Sequence, residues 1–98
     1  MISGWKIRFT MKTVNGFESI CEFYAGNNKA IATAIFNALE GNDTAGNNDI
    51  LQFDLLEMRK GLPCNLQIKH CTLSEMTNNC RILTREIFKY RNLADSSF

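Results

Sequence analysis

The alternation between residues 5 and 12 constrains the fold more than any other feature of the chain. Trp5, Ile7, Phe9 and Met11 fall on one parity, and Lys6, Arg8, Thr10 and Lys12 on the other. Side chains of an extended strand point to opposite faces in turn, so this pattern predicts a strand with one apolar and one wet face over residues 5–14. Asn15-Gly16 follows, a dipeptide that accepts the positive φ angles of tight hairpins, and Phe17 to Ala25 reads as the returning strand. The chain should therefore open with an antiparallel hairpin.

Charge narrows the register of that hairpin. A two-residue Asn-Gly turn would set Phe9 opposite Glu22 and Met11 opposite Ile20, mixing core with charge. A three-residue loop of Val14, Asn15 and left-handed Gly16 sets Phe9 opposite Cys21 and Ile7 opposite Phe23. It also places Lys12 across from Glu18 and Arg8 across from Glu22, and opposite charges in such positions contribute about 0.2–1 kcal/mol each. A slip of one residue would reverse every face, so the three-residue loop is the expectation.

Gly26-Asn27-Asn28 supplies an N-cap, and residues 29–40 take helical spacing, with Ile31, Ile35 and Leu39 beside Ala34 and Ala38. Gly41 suits the left-handed residue that ends many helices. Asn42 to Asp49 is polar and reads as an exposed loop. Leu51, Phe53 and Leu55 then alternate with Gln52 and Asp54 as a third strand. Leu56 and Met58 fall on its outer parity, which implies a bulge near Leu55-Leu56 or apolar side chains on the outer face. Lys60 to Pro63 turns the chain into a fourth strand, Asn65 to Cys71, with Leu66 and Ile68 expected inward.

Thr72-Leu73-Ser74-Glu75 is a capping box, in which the Thr72 hydroxyl and the Glu75 carboxylate each satisfy a backbone N–H. The helix beyond it carries Leu73, Met76, Cys80, Leu83, Ile87 and Tyr90 on one stripe. Asn78-Asn79 within it are weak helix formers. The order ββα-ββα predicts an α+β two-layer sandwich: a mostly antiparallel four-stranded sheet with both helices on one face. This resembles a circularly permuted ferredoxin-like sandwich in topology, a likeness that implies no function. The repeated order suggests a duplication, but residue identity between the halves is too low to show one.

Ninety-eight residues suffice for one domain, spanning 1–98 with an ordered core over about 5–93 and a frayed tail over 94–98. A formal charge of +1 provides no global field to draw the protein to nucleic acid or anionic lipid. No stretch approaches the ~18 apolar residues of a membrane span, and the N-terminus lacks the apolar run of a signal peptide. A cytoplasmic protein without membrane contact is expected.

Little in the chain suggests chemistry. Cys21, Cys64, Cys71 and Cys80 include no C-x-x-C pair, so reduced and mostly buried thiols are expected rather than zinc or disulfides. His70 is the only histidine, and its neighbour Cys71 must point to the opposite strand face, which separates nucleophile from base. Gly41 and Gly46 have the spacing of a phosphate loop, but Asn47 and Asn48 replace its Lys and Ser/Thr. Asp43 and Asp49 lack the spacing of a calcium loop. No cofactor, metal or catalytic residue is expected.

Two surfaces remain. The outer sheet face carries Ile20, Tyr24, Leu56 and Met58, a candidate apolar contact for a protein partner, including a second copy of the chain. Lys12 and Arg8 on that face should be neutralised by Glu18 and Glu22, leaving few free charges for RNA. On the last helix Arg81, Arg85 and Lys89 recur every four residues, with Ile82 exposed beside them. This flank is a candidate contact for an anionic partner. The expected function is a non-catalytic protein-interaction module, homodimeric through the outer face. The alternative is a nucleic-acid-associated accessory protein using the basic flank.

Overall fold

A computed structural model describes residues 4–44, 46 and 49–95, with side chains described to Lys89. Its elements are β1 (Gly4–Thr13), β2 (Gly16–Tyr24), α1 (Lys29–Ala38), β3 (Leu51–Arg59), β4 (Leu62–Cys71) and α2 (Leu73–Asp95). All neighbouring strands are antiparallel in one sheet of order β2-β1-β3-β4. The first strand of each hairpin is therefore central. A ferredoxin-like sandwich permuted to this element order would place the second strands there, so the likeness stops at the layer arrangement.

One face of the sheet carries the core. Ile7 and Phe9 from β1, Leu51, Phe53 and Leu55 from β3, and Cys71 from β4 pack with Ala32, Ile35, Phe36 and Leu39 and with Leu83 of α2. Phe53 lies at the centre, stacked on Phe9 at 5.0 Å between ring centroids and tilted against Phe36 at 5.3 Å. Burying side chains of this size contributes about 1.5–3 kcal/mol each. Both helices pack on this face, and among the described residues the opposite face has no helical cover.

The α1 stripe is rotated from its expected position. Ala34 and Ala38 are exposed, and Ala32, Ile35, Phe36 and Leu39 form the i, i+3, i+4, i+7 set instead. Phe36 buries far more apolar area than an alanine and so turns the helix toward itself. The Asn28 side chain accepts from the Ile31 N–H at 3.0 Å, as an N-cap should. The helix ends before Gly41, whose part is steric: a Cβ there would lie 2.8 Å from the His70 carbonyl oxygen and 2.9 Å from the Phe53 ring.

In the first hairpin Thr13 pairs with Gly16, leaving a two-residue loop of Val14 and Asn15, and Gly16 has φ +107°. The expected register is off by one beside the turn, where Lys12 faces Phe17 rather than Glu18. Ile20 is then an extra residue in β2, and this bulge restores Phe9 opposite Cys21, Arg8 opposite Glu22 and Ile7 opposite Phe23.

The second hairpin behaves alike. β3 runs unbroken against β1, so of the two expected alternatives Leu56 and Met58 take the outer face, and the bulge lies in β4 instead, where Leu66 is the extra residue between partners of Leu55 and Leu56. The inward placement of Leu66 and Ile68 is overturned: Leu66 is the bulge residue, and Ile68 stands three residues before the core-facing Cys71 in unbroken register and so takes the other face. Ile68 stands opposite Asp54 on the outer parity, 40% exposed, and Leu66 is 37% exposed. Inward positions of β4 hold Gln67 and Lys69, and the Lys69 ammonium sits 5.2 Å from the centre of the Phe36 ring.

The capping box forms as expected: the Thr72 N–H donates to Glu75 Oε1 at 2.9 Å and the Glu75 N–H to Thr72 Oγ1 at 3.2 Å. α2 is unbroken at Asn78-Asn79. Asn79 is fully buried, accepting from the Glu40 N–H at 2.7 Å and donating to the Glu40 carbonyl at 2.9 Å. A residue expected to weaken the helix instead ties the exit of α1 to α2. Helical backbone continues to Asp95. The Tyr90 side chain and residues 96–98 of the expected tail lie outside the described residues, as do Ala45, Asn47 and Asn48 of the polar loop.

Candidate functional site

The outer sheet face is built from even-numbered positions of β1 and β3. Directly across the sheet, Tyr24, Lys6, Leu56 and Asn65 form one row, and Glu22, Arg8, Asp54 and Ile68 the next. A further row holds Ser19, Thr10, Gln52 and His70.

Ion pairs cross the middle of this face. Arg8 Nη2 donates to Asp54 Oδ2 at 3.0 Å, and the Gln52 amide donates to the other Asp54 oxygen at 3.3 Å. Asp54 is 2% exposed although, among the described residues, no helix covers it. Lys6 pairs with Glu22 at 3.5 Å. Arg8 is thus neutralised by Asp54 rather than by Glu22. Lys12 does not pair with Glu18, whose carboxylate accepts from the Thr13 hydroxyl at 2.7 Å.

The four residues expected to form an exposed apolar patch are divided by these charges. Ile20 is 44% exposed at the β2 bulge, with Glu22 between it and Tyr24. Tyr24 is half-buried and donates its hydroxyl hydrogen to Asn27 Oδ1 at 2.5 Å. Leu56 is buried at 2% exposure, and Met58, opposite Gly4 and Pro63, is half-buried. Tyr24, Leu56 and Met58 gather at one end of the face, and Ile20 stands apart.

Sequence reasoning missed the apolar groups on the edge strands: Phe17 at 63% exposure on β2, and Leu62, Leu66 and Ile68 on β4. The signal was present in their hydrophobicity, but their exposure depends on both strands being edges. Neither edge is a clean template for another strand. Each carries a bulge, Pro63 of β4 lacks an N–H, and Asn42 already forms a bridge with His70 through two 2.8 Å bonds.

On α2, Arg81, Arg85 and Lys89 are all exposed, and Arg85 pairs with Glu86 at 3.4 Å. Ile82 is half-buried against the core, not exposed beside them. Phe88, unremarked in the sequence, is 59% exposed three residues from Arg85 and next to Lys89.

The four cysteines are free thiols. Burial, followed by the nearby Glu75 and Asp49 carboxylates, pushes the Cys71 thiol up to about 12 against an opposing hydrogen bond from Asn79. Burial and then Cys80 push Cys21 up as well. Such thiols stay protonated at neutral pH and are poor nucleophiles. Among the described residues no group of His, Cys, Asp and Glu could hold a metal ion, and no helix is long and apolar enough to cross a membrane. The Gly46 N–H is occupied by Asp49 Oδ2 at 2.7 Å. No known family, curated protein or solved structure matches the chain.

Proposed function

We propose that this chain is a small non-catalytic protein-interaction module that docks its partner on the outer face of the sheet, a second copy of itself being the partner to test first. The observation that carries this reading is a sheet face left without helical cover among the described residues, with Ile20 and Ile68 exposed on its two outer strands, Tyr24 half-buried at the end of β2 and Met58 half-buried on β3. A two-fold contact would use the same face on both subunits. Sedimentation at micromolar concentration tests it: the wild type should be dimeric, and Ile20→Lys should weaken the dimer at least about tenfold by setting like charges near each other. A monomeric wild type, or a dimer indifferent to the substitution, overturns the reading.

A second reading is favoured by one specific observation, the exposed Phe88 ring among Arg81, Arg85 and Lys89. Aromatic rings beside basic groups suit single-stranded nucleic acid, which stacks on the one and pairs its phosphates with the other. Binding of this kind would weaken steeply with salt as counterions are released. Salt-insensitive binding, or none, removes this alternative.

A further inference from the structure

The two hairpins are superposable in numbering. Adding 46 to each residue number carries the pair Thr13–Gly16 beside the first turn onto Arg59–Leu62 beside the second. The register step between Phe9 and Thr10 becomes the step between Leu55 and Leu56, and the extra residue Ile20 becomes the extra residue Leu66. The helices follow with a shift of 44: the N-cap Asn28 corresponds to Thr72, and Ala32, Ile35, Phe36 and Leu39 correspond to Met76, Asn79, Cys80 and Leu83. Two bulges at equivalent positions are unexpected in unrelated hairpins, because each bulge is a separate departure from the ladder.

The seam between the halves obeys the same relation. Exchanging the halves carries Gly4 opposite Met58 onto Ile50 and Lys12, which are joined by the Lys12 N–H to the Ile50 carbonyl at 2.8 Å. One pair maps onto itself, Arg8 opposite Asp54. The local two-fold therefore passes between these two side chains.

We infer that the chain is a fused pair of ββα units, that the β1–β3 seam is a surface able to take the complementary half of a second copy, and that Arg8 and Asp54 on its axis select which halves meet. If β1 met another β1 about the same axis, Ile7 would face Phe9, an acceptable apolar rung, but Arg8 would face Arg8. β3 against β3 would set Phe53 against Leu55 and Asp54 against Asp54. The axial rung alone brings like charges together, on a site where Asp54 is 2% exposed. Selecting one register among near-equivalent ones is the best-attested role of buried polar and ionic groups, and here the Asp54 side chain is 3% exposed and that of Arg8 31%.

The segment from Leu39 to Ile50 is about a dozen residues and spans up to about 40 Å when extended, enough to reach a neighbouring copy. Charge reversal in the full-length chain tests the inference. Arg8→Asp alone puts two carboxylates on the axis and Asp54→Arg alone two guanidinium groups, so each should lower the folding equilibrium constant at least about tenfold. The double variant Arg8→Asp/Asp54→Arg should recover stability as the wild type's assembly. Refolding the two single variants together should give a heterodimer of exchanged halves, each seam again holding opposite charges, seen by native mass spectrometry as a 1:1 species whose unfolding midpoint returns to that of the double variant, a recovery that association through the outer face alone would not give. Recovery in the double variant without a heterodimer removes the exchange surface. Failure of the double variant to recover removes the pair as selector. Either result overturns the inference.

Discussion

β3 and β4 are joined by a tight turn, and each carries several large apolar residues, yet they have opposite fates. Leu51, Phe53, Leu55 and Leu56 of β3 are each at most 2% exposed, while Leu62, Leu66 and Ile68 of β4 are 37–68% exposed. Position in the sheet accounts for the difference. β3 has a hydrogen-bonded strand on each side, helices over one face, and the Arg8 side chain reaching across the other. β4 has one neighbour, and along much of its length neither face is covered. Only its C-terminal end is closed, where Cys71 is fully buried and the Asn42 bridge lies against His70. Hydrophobicity predicts burial only after the neighbours of a strand are known.

The sharpest way to break this comparison is to truncate equivalent bulk on the two strands. Phe53→Ala should cost about 3–5 kcal/mol, since it removes a ring stacked between Phe9 and Phe36 and leaves a cavity. Leu66→Ala should change stability by no more than about 0.5 kcal/mol, as an exposed position does. Denaturant unfolding measures both, and comparable losses would mean that β4 is covered in solution.

A smaller effect tests the closed end of β4. Asn79→Ala leaves the Glu40 N–H and carbonyl without their partner and should cost about 1–3 kcal/mol. The segment it anchors also supplies the Asn42 bridge, so the His70 amide should exchange with solvent faster while amides in the centre of β3 change little. Uniform acceleration across both strands would show that the end of β4 is not a separate unit.

An effect absent at neutral pH and seen only in alkali is a pH slope. Cys71 titrates at about 12 in the folded chain against an ordinary value of 9.0. Above pH 9 the unfolded chain loses this proton while the folded chain keeps it, so the unfolded state binds fewer protons and stability falls as pH rises. The contribution is fully present below pH 9 and declines from there toward 12. Cys71→Ala should flatten that part of the profile, and an unchanged slope would assign it to other groups.

Much of the architecture was readable before any contact was known. The period-two pattern of Trp5 to Met11, the N-cap at Asn28, the capping box at Thr72 and Glu75, and a positive φ at Gly16 all depend on residues close in sequence. The separation of His70 from Cys71 followed from strand geometry in the same way. These features identified both hairpins, both helices and the apolar face of β1.

Strand order, by contrast, came only from the tertiary structure, and with it the properties of the candidate surfaces. Leu56 and Ile68 are both large, aliphatic and on outer-parity positions, yet one is buried and the other exposed because one strand is central and the other an edge. The Arg8–Asp54 pair joins residues 46 positions apart and exists only because β1 lies beside β3. Phe36 outweighed two alanines in orienting α1, and Asn79 proved a tether because Glu40 happens to leave its helix beside it. Local sequence determines which way each side chain points from its own backbone. What it points toward is decided by segments distant in the chain, whose arrangement depends on the burial of all of them together.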